Sequence, residues 1–256
     1  AYKVDEITFF TSRNSIQGAL MFIRSKILAT VLLLVVANAF AVEKGLGTAK
    51  HPTPKKPTLL KADLLTEFKS KITLPPKLAS DLQQFDEKIL KELQATRTAD
   101  DCKRAEFEVY VSLANFFGKP YSMLTEAETT KLAAFFDKVR NDADFYIQKL
   151  KKEFPRKRPF LYMAELKPCV PLETTGAYPS GHATLARLYA LILTDFFPEK
   201  KGALEERADQ IGKDRVLSGM HHPTDVQAGK QLGEMVYEKL KQSASYQKVF
   251  KKLSEK

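Results

Sequence analysis

The chain has 256 residues, 44% of them hydrophobic, enough to close one sizeable core without requiring a second domain. Lysine and arginine outnumber the acids 41 to 31, and the formal charge of +10 favours anionic partners such as phosphate esters, nucleic acid or acidic surfaces without choosing among them. Strand-like alternation is hard to find, and no apolar run makes a good membrane span, which excludes all-β and multi-span architectures.

In chain order, Met21 opens what reads as a secretory signal. Arg24 and Lys26 form its basic start, residues 27–37 are apolar, and Ala39-Phe40-Ala41 offers a small-x-small cleavage site. Residues 1–20 precede this signal and begin without methionine, so upstream sequence outside the mature protein is expected there, with the mature chain starting near Val42. Residues 1–41 carry four basic and two acidic side chains, so their removal leaves a charge of +8. Residues 42–61, rich in Lys, Pro and Gly, read as a flexible leader, and the folded domain is expected over 62–256. An exported chain meets an oxidising compartment, so Cys102 and Cys169, its only cysteines, are expected to form one bridge; two buried free thiols are the alternative.

Leu78, Leu82, Phe85, Ile89, Leu90 and Leu93 recur at helical spacing. A helix over 99–117 should end at Gly118 and Pro120. Thr125-x-x-Glu128 is a capping box for the next helix, which Pro155 stops near Phe154. An apolar helix over 183–197 starts at Ser180 or its neighbour and closes at Pro198; with Arg187 and Asp195 inside, it suits a buried core position. Helices over 199–217 and 223–240 complete an all-α, single-domain helical bundle.

Three short stretches carry the chemistry: Lys151 to Arg158-Pro159, Pro179-Ser180-Gly181-His182, and Arg215 with His221 and Asp225. Phosphoryl transfer asks mainly for position and positive charge around the equatorial oxygens, which Lys151, Arg158 and Arg215 can supply. Ser180 and Gly181 lie where a helix begins, so free N–H groups and the helix dipole face an anion there. Pro223 in the first turn of the last predicted helix puts Asp225 near its third position, within reach of the His221 ring. A carboxylate on one ring nitrogen leaves the other free to attack. Lys149, Lys152, Arg156 and Lys157 read as surface charges, His51 and His222 as bystanders, and Glu173 and Tyr178 as candidates for the leaving-group side.

The set Lys151-x6-Arg158-Pro159, Pro179-Ser180-Gly181-His182 and Arg215-x5-His221-x3-Asp225 resembles the phosphatidic acid phosphatase type 2 superfamily, shared with vanadium haloperoxidases. Phe160, Tyr178, the short gaps and the export signal look most like the bacterial class A non-specific acid phosphatases. The resemblance covers roughly residues 62–240 and implies metal-independent hydrolysis of small phosphomonoesters with no cofactor. It implies a phosphohistidine on His221, leaving-group protonation by His182, orientation of His221 by Asp225, and a cradle of Lys151, Arg158, Ser180, Gly181 and Arg215. Asp214 stands where the superfamily usually has Ser before the arginine, and is expected to point away from phosphate. The other readings are a vanadate-dependent haloperoxidase, a lipid phosphate phosphatase, which needs membrane spans that are absent once the signal is removed, and a non-catalytic basic protein that binds nucleic acid or acidic polymers without specificity. Substrate, pH optimum and oligomeric state, a homo-oligomer included, are left open.

Overall fold

The computed structural model describes residues 53–255, whose regular structure is nine α-helices and two 3-10 turns, Pro159–Leu161 and Pro198–Lys200, so the all-α expectation holds. The expected upstream sequence (1–20), signal (21–41), first part of the leader (42–52) and His51 lie outside the described residues.

Helices α1 (Leu64–Lys71), α2 (Asp81–Thr96), α3 (Ala99–Phe107), α4 (Leu113–Phe117) and α5 (Glu126–Glu153) precede the site motifs. Helices α6 (Gly181–Phe196), α7 (Lys201–Leu217), α8 (Pro223–Gln242) and α9 (Ala244–Ser254) follow the Arg-Pro pair. Local chemistry sets the starts: Thr98 with Asp101 and Thr125 with Glu128 form complete capping boxes, and the hydroxyls of Ser80, Ser112, Ser180 and Ser243 cap α2, α4, α6 and α9.

Four expectations are corrected. The helix over 99–117 is interrupted, because Glu108 turns inward to pair with Arg207 at 2.6 Å and Ser112 starts a new cap. The break frees the carbonyl of Val111 for Arg140 and exposes that of Val109 to His182. The helix over 199–217 begins at Lys201 after a 3-10 turn, and α9 was not anticipated. On α2 the apolar pattern misreads the inner face: Leu82 and Phe85 are exposed, as is Leu78 ahead of it, while Gln83, Asp86 and Leu90 are buried. Finally, order begins within the expected leader, since the amides of Thr58, Leu59 and Leu60 donate to the buried Asp142 carboxylate at 2.6–2.9 Å.

Helix α6 is the hub, apolar nearly all round and buried against α5, α7 and α8. Close approach of α8 requires two glycines one turn apart. A Cβ on Gly229 would lie 2.5 Å from the Ser180 carbonyl, and one on Gly233 2.6 Å from that of Thr184. This contact brings the start of α8 under the start of α6, where the Ser180 amide donates to the Asp225 carbonyl at 2.9 Å. A disulfide joins Cys102 of α3 to Cys169, with Cα atoms 5.7 Å apart, and ties α3 to the loop that leads into the site. Among the described residues no helix is long and apolar enough to cross a membrane.

Candidate active site

Lys151 occupies the last turn of α5, where burial and then the charge of Arg158 lower its pKa to about 7; its Nζ donates to the Gly176 carbonyl. Past the Pro155 break, Arg158 is 1% exposed and its five N–H donors are all engaged. Nε donates to the Thr175 carbonyl at 2.9 Å, and Nη1 reaches the Met220 carbonyl at 3.1 Å and His221 Nε2 at 2.8 Å. Nη2 reaches Glu173 Oε2 at 2.6 Å and Thr175 Oγ1 at 3.3 Å.

Arg215, in the last turn of α7, is treated differently. Its Nη2 donates to Glu173 Oε1 at 2.6 Å, but buried Nε and Nη1 have no partner among the described residues. Buried guanidinium donors left unsatisfied are costly, so an acceptor belongs beside them. Glu173 therefore bridges the two arginines rather than simply lining a leaving-group side. Burial would raise its pKa, yet Arg158 and Arg215 outweigh burial and hold the carboxyl well below the usual range.

His221 is fully buried between α7 and α8. Burial, reinforced by the Arg158 charge, lowers its pKa to about 3, so the ring is neutral across ordinary pH. His221 Nδ1 lies 3.5 Å from Asp225 Oδ2. The same oxygen accepts from the His222 amide at 2.8 Å and sits 2.9 Å from His222 Nδ1, so His222 is a direct partner of Asp225 and not a bystander. Its Nε2 in turn meets the Tyr162 hydroxyl at 2.8 Å. Arg156 is the second correction, since its side chain is 9% exposed and pairs with Asp225 at 2.6 Å and Asp86 at 2.9 Å. Burial would raise the Asp225 pKa, but its contacts with the two histidines keep it well below the usual value.

Ser180 caps α6 from a fully buried position. Gly181 lines the pocket, and a Cβ there would meet only Ile147, at 3.5 Å. His182 Nε2 lies 3.2 Å from the Val109 carbonyl and Nδ1 3.8 Å from Glu173 Oε1. Because a carbonyl only accepts, Nε2 carries the hydrogen there, and Nδ1 faces Glu173. The pocket also takes in exposed Tyr110 and, from α5, Arg140 and half-buried Asp144, whose carboxyl burial raises to about 7.

Lys149, Lys152 and Lys157 are exposed, as expected. Asp214 points away from the pocket into Arg104, at 2.7 and 2.8 Å. Tyr178 does not line the site; its hydroxyl donates to the Thr73 carbonyl and its ring meets the edge of Phe154. Two functional neighbours escaped sequence reasoning. His222 had a signal, because it precedes Asp225 by the three residues of a capping box. Arg156 had none, since its partner Asp86 lies on a distant helix.

A scan against protein-family models gives no match. The chain is 34% identical over 110 residues to a non-specific acid phosphatase of Salmonella typhimurium, an alignment covering 41% of this chain and 44% of that protein. Over 187 residues it is 25% identical to a non-specific acid phosphatase of Providencia stuartii, covering 70% and 75%. Among solved structures, a bacterial vanadium-dependent iodoperoxidase shares the fold at 14% identity with a TM-score of 0.53, covering 78% of this chain and 60% of that one. The chain is thus similar to bacterial non-specific acid phosphatases over part of its length, and it shares its all-α fold with a vanadium-dependent iodoperoxidase.

Proposed function

We propose that this protein hydrolyses small phosphate monoesters through a phosphohistidine on His221, with no metal and no cofactor. The observation that carries the reading is the pairing of a neutral, buried imidazole with a guanidinium, Arg215, whose buried donors await an acceptor. A nucleophile must be unprotonated and a phosphoryl group must be neutralised, and the two groups that meet these conditions are joined through Arg158 and Glu173.

Arg215, Lys151, Arg158 and the N-terminus of α6 at Ser180 and Gly181 hold the phosphoryl oxygens. His221 Nε2, released from the hydrogen bond it accepts from Arg158 Nη1 in the resting protein, attacks phosphorus, the N–P bond forming as the ester P–O bond breaks. Asp225 offsets the positive charge that develops on the ring, its own position held by His222 and Arg156. His182 Nδ1 gives its proton to the departing oxygen and then takes one from water, which attacks phosphorus and breaks the N–P bond. Asp144 and Arg140 line the same pocket as His182, and on this reading they face the alcohol part of the ester. Export to the periplasm or exterior, the second half of the proposal, rests on the signal-like segment starting at Met21.

Hydrolysis of 4-nitrophenyl phosphate should survive EDTA and be blocked by vanadate, whose trigonal bipyramidal adduct on His221 mimics the transition state. Activity abolished by EDTA and restored by a divalent ion contradicts the reading. Intact-mass measurement of secreted protein should give a chain starting near Val42, and retention of Met21 contradicts export.

A further inference from the structure

We propose that Glu173 is an internal occupant of the phosphate site, its carboxylate spanning Arg158 and Arg215 in the resting protein and leaving them when a phosphoryl group binds. The proposal rests on the phosphatase reading for what the site accepts. Each Glu173 oxygen lies 2.6 Å from a different arginine, as two oxygens of one phosphoryl group would.

Donor accounting makes displacement necessary. Every N–H of Arg158 is committed, to Thr175, Met220, His221 and Glu173, so an incoming oxyanion gains that fork only by replacing a present partner. Among these, Glu173 is the one acceptor that is itself an anion. Arg215 offers the entry point, because its Nε and Nη1, without a partner among the described residues, can donate to a phosphoryl oxygen while its Nη2 still holds Glu173. A phosphate beside an unmoved carboxylate would set like charges together in a pocket screened from water, a strongly unfavourable arrangement.

The charged and titratable groups facing Glu173 come from four sides: Arg158 after α5, Arg215 on α7, His182 on α6 and His221 before α8, with Lys151 on the same pocket wall. Held by two arginines, the carboxyl stays ionised. Parted from them next to a bound anion, it takes up a proton. Anion binding is therefore coupled to proton uptake by Glu173 and weakens as pH rises, which biases the site toward acid conditions. Only the fraction of molecules with the carboxylate displaced is competent, so apparent affinity falls by that fraction.

Sulfate is a suitable probe because it remains a dianion throughout the working range. Calorimetric titration of wild type and Glu173→Gln in buffers of differing ionisation enthalpy reads both affinity and proton uptake. Near neutral pH the variant should bind sulfate roughly tenfold or more tightly and take up about one proton fewer, with the gap closing as pH falls. Equal or weaker binding by the variant with unchanged proton uptake, or no sulfate binding by either protein, overturns the proposal. A crystal structure of the wild-type protein with sulfate needs no variant: the carboxylate should be off both arginines, and sulfate seated with Glu173 still bridging them overturns it. Sulfate binding with displacement but no hydrolysis of 4-nitrophenyl phosphate contradicts the phosphatase reading alone.

Discussion

On the side of the site built by α2 and the start of α8, both oxygens of Asp225 are engaged: Arg156 takes one, His222 holds the other, and Asp86 fixes Arg156 from behind. On the opposite side, Arg215 keeps Nε and Nη1 without partners among the described residues, and the Glu173 carboxylate holds its Nη2. The contrast separates two tasks. On the proposed reading the first side holds Asp225 in place beside the His221 ring in advance, while the second is left incomplete for a ligand to finish.

The largest break of this comparison is at its hinge. His221→Ala should lose roughly a thousandfold or more in turnover on every substrate, because no covalent intermediate can form. Removing a cation from the incomplete side comes next: Arg215→Ala should cost about 100- to 1,000-fold in kcat/KM, as expected for loss of a donor to developing charge. Steady-state kinetics on 4-nitrophenyl phosphate measures both, and a tenfold or smaller loss for either would merge the two tasks.

Arg156→Ala tests the preassembled side. It removes the one cation paired with both buried carboxylates, Asp86 and Asp225, so urea unfolding should report a loss of about 3–5 kcal/mol. Unchanged stability would mean that the pairs do not hold the site together. The pH profile sharpens the other side. Lys151 titrates near 7 in the free protein, so its charge is present below that pH and lost as pH rises through it. kcat/KM should therefore fall above about pH 7 and the fall should move upward in Lys151→Arg, whereas His221, the proposed nucleophile, stays unprotonated down to about pH 3. An alkaline limb that ignores Lys151→Arg contradicts that assignment. The smallest effect on activity belongs to the disulfide: Cys102→Ser should lower stability by about 2–4 kcal/mol with kcat nearly unchanged.

The sequence made the grouping of Lys151, Ser180 and His182 legible because these residues sit at helix ends that announce themselves. Thr125 and Glu128 start α5, Pro155 ends it just after Lys151, and Ser180 caps the helix that carries His182. The second layer was not legible for a physical reason. Arg156 looks like its basic neighbours until α2 brings Asp86 to it, and nothing local in residues 81–96 distinguishes an inward Asp86 from a solvated one. The same helix hid its inner face, since the exposed Leu82 and Phe85 mimic a core stripe. The break after α3 was equally silent, because it depends on Arg207 drawing Glu108 inward.

Covalent chemistry on His221 is the claim on which the rest depends, and its neighbour His222 makes the test exacting. Wild type and His182→Ala should be mixed with 4-nitrophenyl phosphate, quenched in alkaline denaturant and digested, and the peptide carrying both adjacent histidines sequenced by mass spectrometry. The predicted result is phosphate on His221 in both proteins, at higher occupancy in His182→Ala because water is no longer activated for the second step. Phosphate on His182 or His222, or turnover without any phosphopeptide, would contradict it.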